Sequence, residues 1–117
     1  MIKLILSVIL IFSFVGCSSK KKNEKYYQTK FCNELNGVME YRLSDKTRVD
    51  CLTDQYAIEV DWAKKWAEAI GQTLYYAHYT EKKAAIALII KPKDQRFVDR
   101  ARILSEKFDI KIFIIKK

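Results

Sequence analysis

The chain has 117 residues, half of them hydrophobic, and a formal net charge of +8. This is one domain's worth of chain with enough apolar residues for a real core, and its basic balance favours polyanions (nucleic acid, anionic lipid or lipopolysaccharide) without choosing among them. A zinc site is not expected, because the single His78 and the cysteines at these spacings match no zinc-ligand pattern.

The N-terminus reads MIKLILSVILIFSFVGC. Lys3 precedes an almost unbroken apolar run from Leu4 to Val15, shorter than the roughly 20 residues a spanning helix needs. A short charged start, a short apolar centre and small residues at the end describe a signal peptide, residues 1–16. Phe14-Val15-Gly16-Cys17 resembles a bacterial lipobox, with Phe14 where Leu is usual. The resemblance implies cleavage before Cys17, a diacylglyceryl group on its thiol, and a lipid-anchored membrane protein of the cell envelope. Ser18 beside the lipidated cysteine resembles the pattern that permits transfer to the outer membrane in a diderm cell. Such an anchor buries several times what one myristoyl chain does, so attachment is stable. Removing residues 1–16, and Lys3 with them, leaves 101 residues and a net charge of +7. Residues 17–25 carry Lys20, Lys21, Lys22, Glu24 and Lys25 and nothing large and apolar to bury. They are expected to form a lipidated, flexible tether, leaving 26–117 as the folded domain.

From Lys25 to Asn36 the apolar Tyr27, Phe31 and Leu35 recur every four positions, which predicts a helix. Asn36-Gly37 is expected to end it through glycine's freedom at a C-terminus. Residues 38–43 alternate as a strand, with Val38, Glu40 and Arg42 on one face and Met39, Tyr41 and Leu43 on the other. Ser44-Asp45-Lys46 is a turn. Strands follow at 47–52 and 56–61, joined by a turn at Thr53-Asp54. From Trp62 to about Tyr79 the stripe Ala63, Trp66, Ile70, Leu74, Ala77 predicts a helix. Ala84 to Ile90 reads as a buried strand ended by Lys91-Pro92. Asp94 is the expected N-cap of a helix marked by Phe97, Ala101, Leu104 and Phe108, and Ile110 to Ile115 is a last strand. The order is αβββαβαβ. The tight ββ turns imply an antiparallel meander, and each later helix returns the chain to the same sheet.

With Cys17 committed to lipid, Cys32 and Cys51 remain. In an oxidising compartment they are expected to form a disulfide, contributing roughly 3 kcal/mol by constraining the unfolded chain.

Chemistry concentrates between Arg48 and Lys65. Strand alternation puts Glu59 and Asp61 on one face, and Asp50 lies in the neighbouring strand of the hairpin, in a register that the turn decides. Carboxylates gathered at a hairpin end can hold a hard cation such as Mg²⁺, and such a metal can activate water for phosphodiester hydrolysis.

These residues resemble the PD-(D/E)XK nuclease superfamily, whose restriction-endonuclease-like core is αβββαβ. The motif places an Asp on the second strand and Glu/Asp-x-Lys on the third, matched here by Asp50 and Glu59-Val60-Asp61. Some members carry an acidic residue on the first helix, where Glu34 corresponds, and some carry Gln-x-x-x-Tyr on the following helix, matched by Gln72-Thr-Leu-Tyr-Tyr76. The resemblance covers roughly residues 26 to 91. It implies an α+β fold with an added αβ unit, a mixed sheet flanked by helices, and Mg²⁺ held by Asp50, Glu59, Asp61 and Glu34. It also implies DNA as substrate, with Lys65, Gln72 and Tyr76 joining Asp50 and Glu59 in catalysis.

Asp61 replaces the motif lysine. Lys65 is the candidate substitute, because at 100° per residue Lys65, Glu68, Gln72 and Tyr76 share a stripe that Lys64 does not. That stripe lies opposite the apolar one, so it reads equally as a solvated face with an Asp61–Lys65 pair worth a few tenths of a kcal/mol. His78 reads as a partner of the helix C-terminus, Trp62 and Trp66 as core, and Arg96, Arg100 and Arg102 as a wet helix face. Two functions follow: a lipid-anchored nuclease acting on DNA, or a non-catalytic binding lipoprotein that keeps the fold and has lost the chemistry.

Overall fold

A computed structural model describes residues 21–117; the segment expected to be a signal peptide, Cys17 and Ser18 lie outside them. Helix α1 spans Glu24–Glu34, strands β1, β2 and β3 span Val38–Arg42, Arg48–Leu52 and Tyr56–Trp62, and a 3₁₀ turn at Ala63–Lys65 leads into α2, Trp66–Thr80. Strand β4 is Lys83–Ile90, α3 is Gln95–Phe108 and β5 is Lys111–Lys116. The expected αβββαβαβ order is therefore present. Helix α1 starts inside the segment expected to be tether, because Asn23 caps it by accepting the Tyr26 N–H at 3.0 Å.

The five strands lie in chain order, β1-β2-β3-β4-β5. The first three are mutually antiparallel and the last two join in parallel, so the sheet is mixed. Strand β4 is the central beam. Ala84, Ile86 and Leu88 face α2 and α3, joined by Ile70, Val98 and Ala101. Ala85, Ala87 and Ile89 face the other way, with Tyr27 and Cys32 of α1 and Ile58 and Val60 of β3. This double burial explains why β4 reads as a continuous apolar run and not as an alternation. Trp62 and Trp66 pack, partly buried, on these two cores.

Thr73 pins α2 to the sheet. Fully buried, its Oγ1 donates to the Ala57 carbonyl at 2.8 Å and accepts the Ala85 N–H at 2.9 Å, giving partners to backbone groups that burial would otherwise strand.

The Cys32–Cys51 disulfide joins α1 to β2 as expected. Gly37, however, has another reason than the one its position suggests. Asn36, not Gly37, takes the left-handed conformation after α1, at φ 53°. A Cβ on Gly37 would lie 2.5 Å from the Cys51 Sγ and 2.7 Å from the Cys32 Sγ, so glycine is required for room beside the disulfide. Asp94 stands at the N-cap position of α3, but its carboxylate accepts the Lys91 N–H at 2.9 Å and caps the preceding turn instead.

Candidate functional site: a seam of buried carboxylates

Strands β2 and β3 pair through Cys51–Ile58 and Leu52–Ala57. Beyond those pairs the ladder gives way to side chains. The Asp50 carboxylate accepts the Val60 N–H at 2.9 Å, taking the place of a backbone partner. On the other side, Glu40 adopts φ 52° in the middle of β1, a left-handed conformation that costs a non-glycine residue roughly 1–2 kcal/mol. Its carboxylate is held by Lys25, by Arg48 at 3.8 Å and by the Gln28 amide at 3.2 Å. Gln28, buried on α1, also donates to the Asp50 carbonyl at 2.9 Å. These contacts keep a strained residue in place.

The cavity at this seam has a volume of about 650 Å³, and its wall includes Glu24, Glu40, Arg48, Asp50, Glu59, Gln72 and Tyr76. Glu59 is 6% exposed, and its Oε2 is buried without a hydrogen-bond partner. Burial first, and the Asp50 carboxyl second, push its pKa up to about 10, so Glu59 is protonated at neutral pH. Burial also raises Asp50, against the Val60 N–H that favours its anion. Burial and then the charge of Glu24 raise Asp61 to about 6. Glu24 itself is raised by burial and by Asp50. Glu40 runs the other way, held low chiefly by its bond from Lys25. Burial and the nearby Glu59 and Asp50 carboxyls raise the Tyr76 phenol.

Five of the expected site residues thus converge: Asp50, Glu59, Gln72 and Tyr76 on the cavity, and Asp61 beside it. Two do not. Glu34 lies ten residues, or about 15 Å, along α1 from the end that reaches the seam, and it lines a separate cavity against β5. Glu24, one turn before Gln28 on the same helix, occupies the place assigned to it. The only signal for that lay in the i, i+4 pair of Glu24 and Gln28, hidden by reading residues 17–25 as tether. Lys65 is exposed and stands outside the cavity wall, although its charge reaches Asp61 and Glu24. The chain enters α2 through a 3₁₀ turn, which rotates each residue by about 120° and carries Lys65 off the Gln72–Tyr76 stripe. No Asp61–Lys65 ion pair forms; among the described residues the ion pairs are those of Glu40 with Lys25 and Arg48.

The donor set for a cation is narrower than expected. Among the described residues no three His, Cys, Asp or Glu side chains are arranged to hold a metal ion. What fits is the Asp50–Glu59 pair, with one Asp50 oxygen committed to Val60 and one Glu59 oxygen unpartnered.

The chain resembles one viral sequence. Over 92 residues, 79% of this chain, it is 27% identical to a putative KilA-N domain-containing protein of Acanthamoeba polyphaga mimivirus. The chain spans a quarter of that protein's length. No family model matches, and no solved structure matches.

Proposed function

We propose that this chain is a non-catalytic binding domain on a degenerate restriction-endonuclease-like core, attached to the envelope membrane through lipid on Cys17 and directed at DNA or a related polyanion. The observation that carries this reading is the placement of the cations. Asp61 stands where the motif has lysine, Lys65 is exposed and outside the cavity wall, and Lys25 and Arg48 are engaged by Glu40, so none of these cations is left to position an attacking water beside Asp50 and the buried Glu59. The mimivirus protein is named for a domain and not for an activity, which agrees with a binding module. The excess of lysine and arginine, 22 against 14 acidic residues, supplies the attraction to phosphates.

A second reading, Mg²⁺-dependent hydrolysis, is favoured by the unpartnered Glu59 Oε2 beside Asp50. A bound Mg²⁺ would keep most of its waters on such a pair and supply charge for phosphodiester cleavage. Gln72 and Tyr76 would orient the phosphate.

Three measurements on the full chain separate the two: plasmid integrity with Mg²⁺ or Mn²⁺, duplex binding by anisotropy against salt, and melting temperature with each metal. The binding reading expects salt-sensitive binding, intact plasmid and a melting temperature that the metals leave alone. Metal-dependent cleavage that Glu59→Gln abolishes would overturn it. For the anchor, Cys17→Ser should abolish palmitate labelling and release the protein from membranes; labelling that survives refutes the lipobox.

A further inference from the structure

A second cavity, of about 310 Å³, lies between α1 and β5. Four lysines border it (Lys22 and Lys30 from the α1 side, Lys116 and Lys117 from the β5 side) against one acidic residue, Glu34. None of the four has an ion-pair partner among the described residues. Four ammonium groups around one hollow repel one another, and a polyanion relieves that repulsion.

The same hollow offers rings. Tyr26 is 41% exposed, with the Lys22 ammonium 4.8 Å from its ring centre. It meets Tyr27 edge-on at 5.2 Å, and Tyr27 meets Trp62 at 5.8 Å. Lys91 and Lys117 stand 5.7 and 5.6 Å from the Trp62 ring. One exposed ring, Tyr26, backed edge-on by the buried Tyr27 and behind it the half-buried Trp62, therefore stands beside a row of ammonium groups, at the end of the sheet where parallel strands β3, β4 and β5 finish. Open α/β sheets place ligands outside the carboxyl ends of such strands.

We propose that this cleft binds single-stranded nucleic acid, its phosphates on Lys30, Lys116 and Lys117 and a base on the exposed face of Tyr26. The single strand is favoured over other polyanions because it presents charged phosphates together with free planar base faces, which the exposed Tyr26 ring can stack. A duplex hides its base faces, and an anionic lipid has none. This inference rests on the polyanion-binding reading above, and it goes further by naming the surface and the form of the ligand. It does not involve the carboxylate seam, which lies toward β1 and β2.

The test uses the full chain and a fluorescein-labelled oligothymidylate at low salt, with a matched duplex and phosphatidylglycerol vesicles as competitors. The oligothymidylate should bind more tightly than the duplex, and vesicles should displace it weakly. Replacing Lys30, Lys116 and Lys117 by Ala should lower the slope of log affinity against log salt by about 2, since each single-strand phosphate contact contributes about 0.7. Tyr26→Ala should cost about tenfold or more in affinity, and Tyr26→Phe should restore it, as expected of stacking. Lys107→Ala on α3, away from the cleft, should leave binding unchanged. Duplex and oligothymidylate binding that both survive the triple substitution would overturn the cleft while leaving the polyanion reading intact. Loss of all binding in the unmodified chain would overturn both. Vesicle binding without oligothymidylate binding would reassign the lysines to the membrane surface and sink the proposal.

Discussion

Strand β4 and the β2–β3 seam are neighbours in one sheet, yet they are built on opposite terms. Six consecutive residues of β4, Ala84 to Ile89, are buried, none is titratable, and its backbone pairs in register on both sides. At the seam the ladder stops after two pairs, a carboxylate replaces a backbone acceptor, β1 carries a left-handed Glu40, and four carboxyls have raised pKa values. The first region is what hydrophobic burial produces when nothing opposes it. The second spends part of that stability on polar groups that burial disfavours. Stability should therefore be insensitive to pH where β4 sets it and pH-dependent where the seam does.

The largest loss is expected in the apolar region. Leu88→Ala removes a fully buried side chain and should cost roughly 2–5 kcal/mol, equally at mildly acidic and neutral pH, by urea denaturation. A pH-dependent loss there would dissolve the contrast. Next, Gly37→Ala cannot coexist with the disulfide in its present position and should cost about 3 kcal/mol, matching the loss on reduction of the unmodified protein. If reducing agent destabilises Gly37→Ala by the full amount again, the two effects are separate and the steric argument fails. Thr73→Val leaves the Ala57 carbonyl and Ala85 N–H buried without their hydroxyl and should cost about 1–3 kcal/mol, with slower exchange protection lost at Ala85 first.

Glu59→Gln gives the smallest change at mildly acidic pH and the most informative one above it. In the folded chain Glu59 keeps its proton up to about 10, against an ordinary value of 4.5. Folding thus takes up a proton across that window, and stability falls as pH rises through it. Asp61 acts in the same direction between 3.8 and about 6. Thermal melts from about pH 7 to about pH 9 should fall for the unmodified chain and flatten for Glu59→Gln. Parallel slopes would mean that Glu59 is ionised in the folded protein.

The same contrast explains what could be read in the sequence. The element order, the mixed sheet and the disulfide follow from apolar spacing, turn residues and cysteine arithmetic, which are local signals. Alternation put Glu59 and Asp61 on one face because β3 is regular. The placement of Glu24 was not legible, since a capped helix start looks like tether until Asn23 closes it. The displacement of Lys65 was hidden because a 3₁₀ turn and an α-helix share composition. Glu40's left-handed backbone carries no local signal; Lys25 and Gln28 of α1 and Arg48 of β2 hold it from two other elements. The asymmetry of the basic cleft, too, exists only once β5 lies beside α1.

The sheet's spatial order is also its order in the chain. Each strand finds its partner in the strand made just before it, across short turns for β1 to β3 and across a single helix for β4 and β5, so no pairing skips an element yet to be made. A chain of this kind can assemble progressively as it emerges from a ribosome or a translocation pore. The α1–β2 crosslink can close before β4 exists, and β5 arrives last, on an edge that leaves every earlier pairing untouched. Growth from one end gives such a domain few chances to mispair.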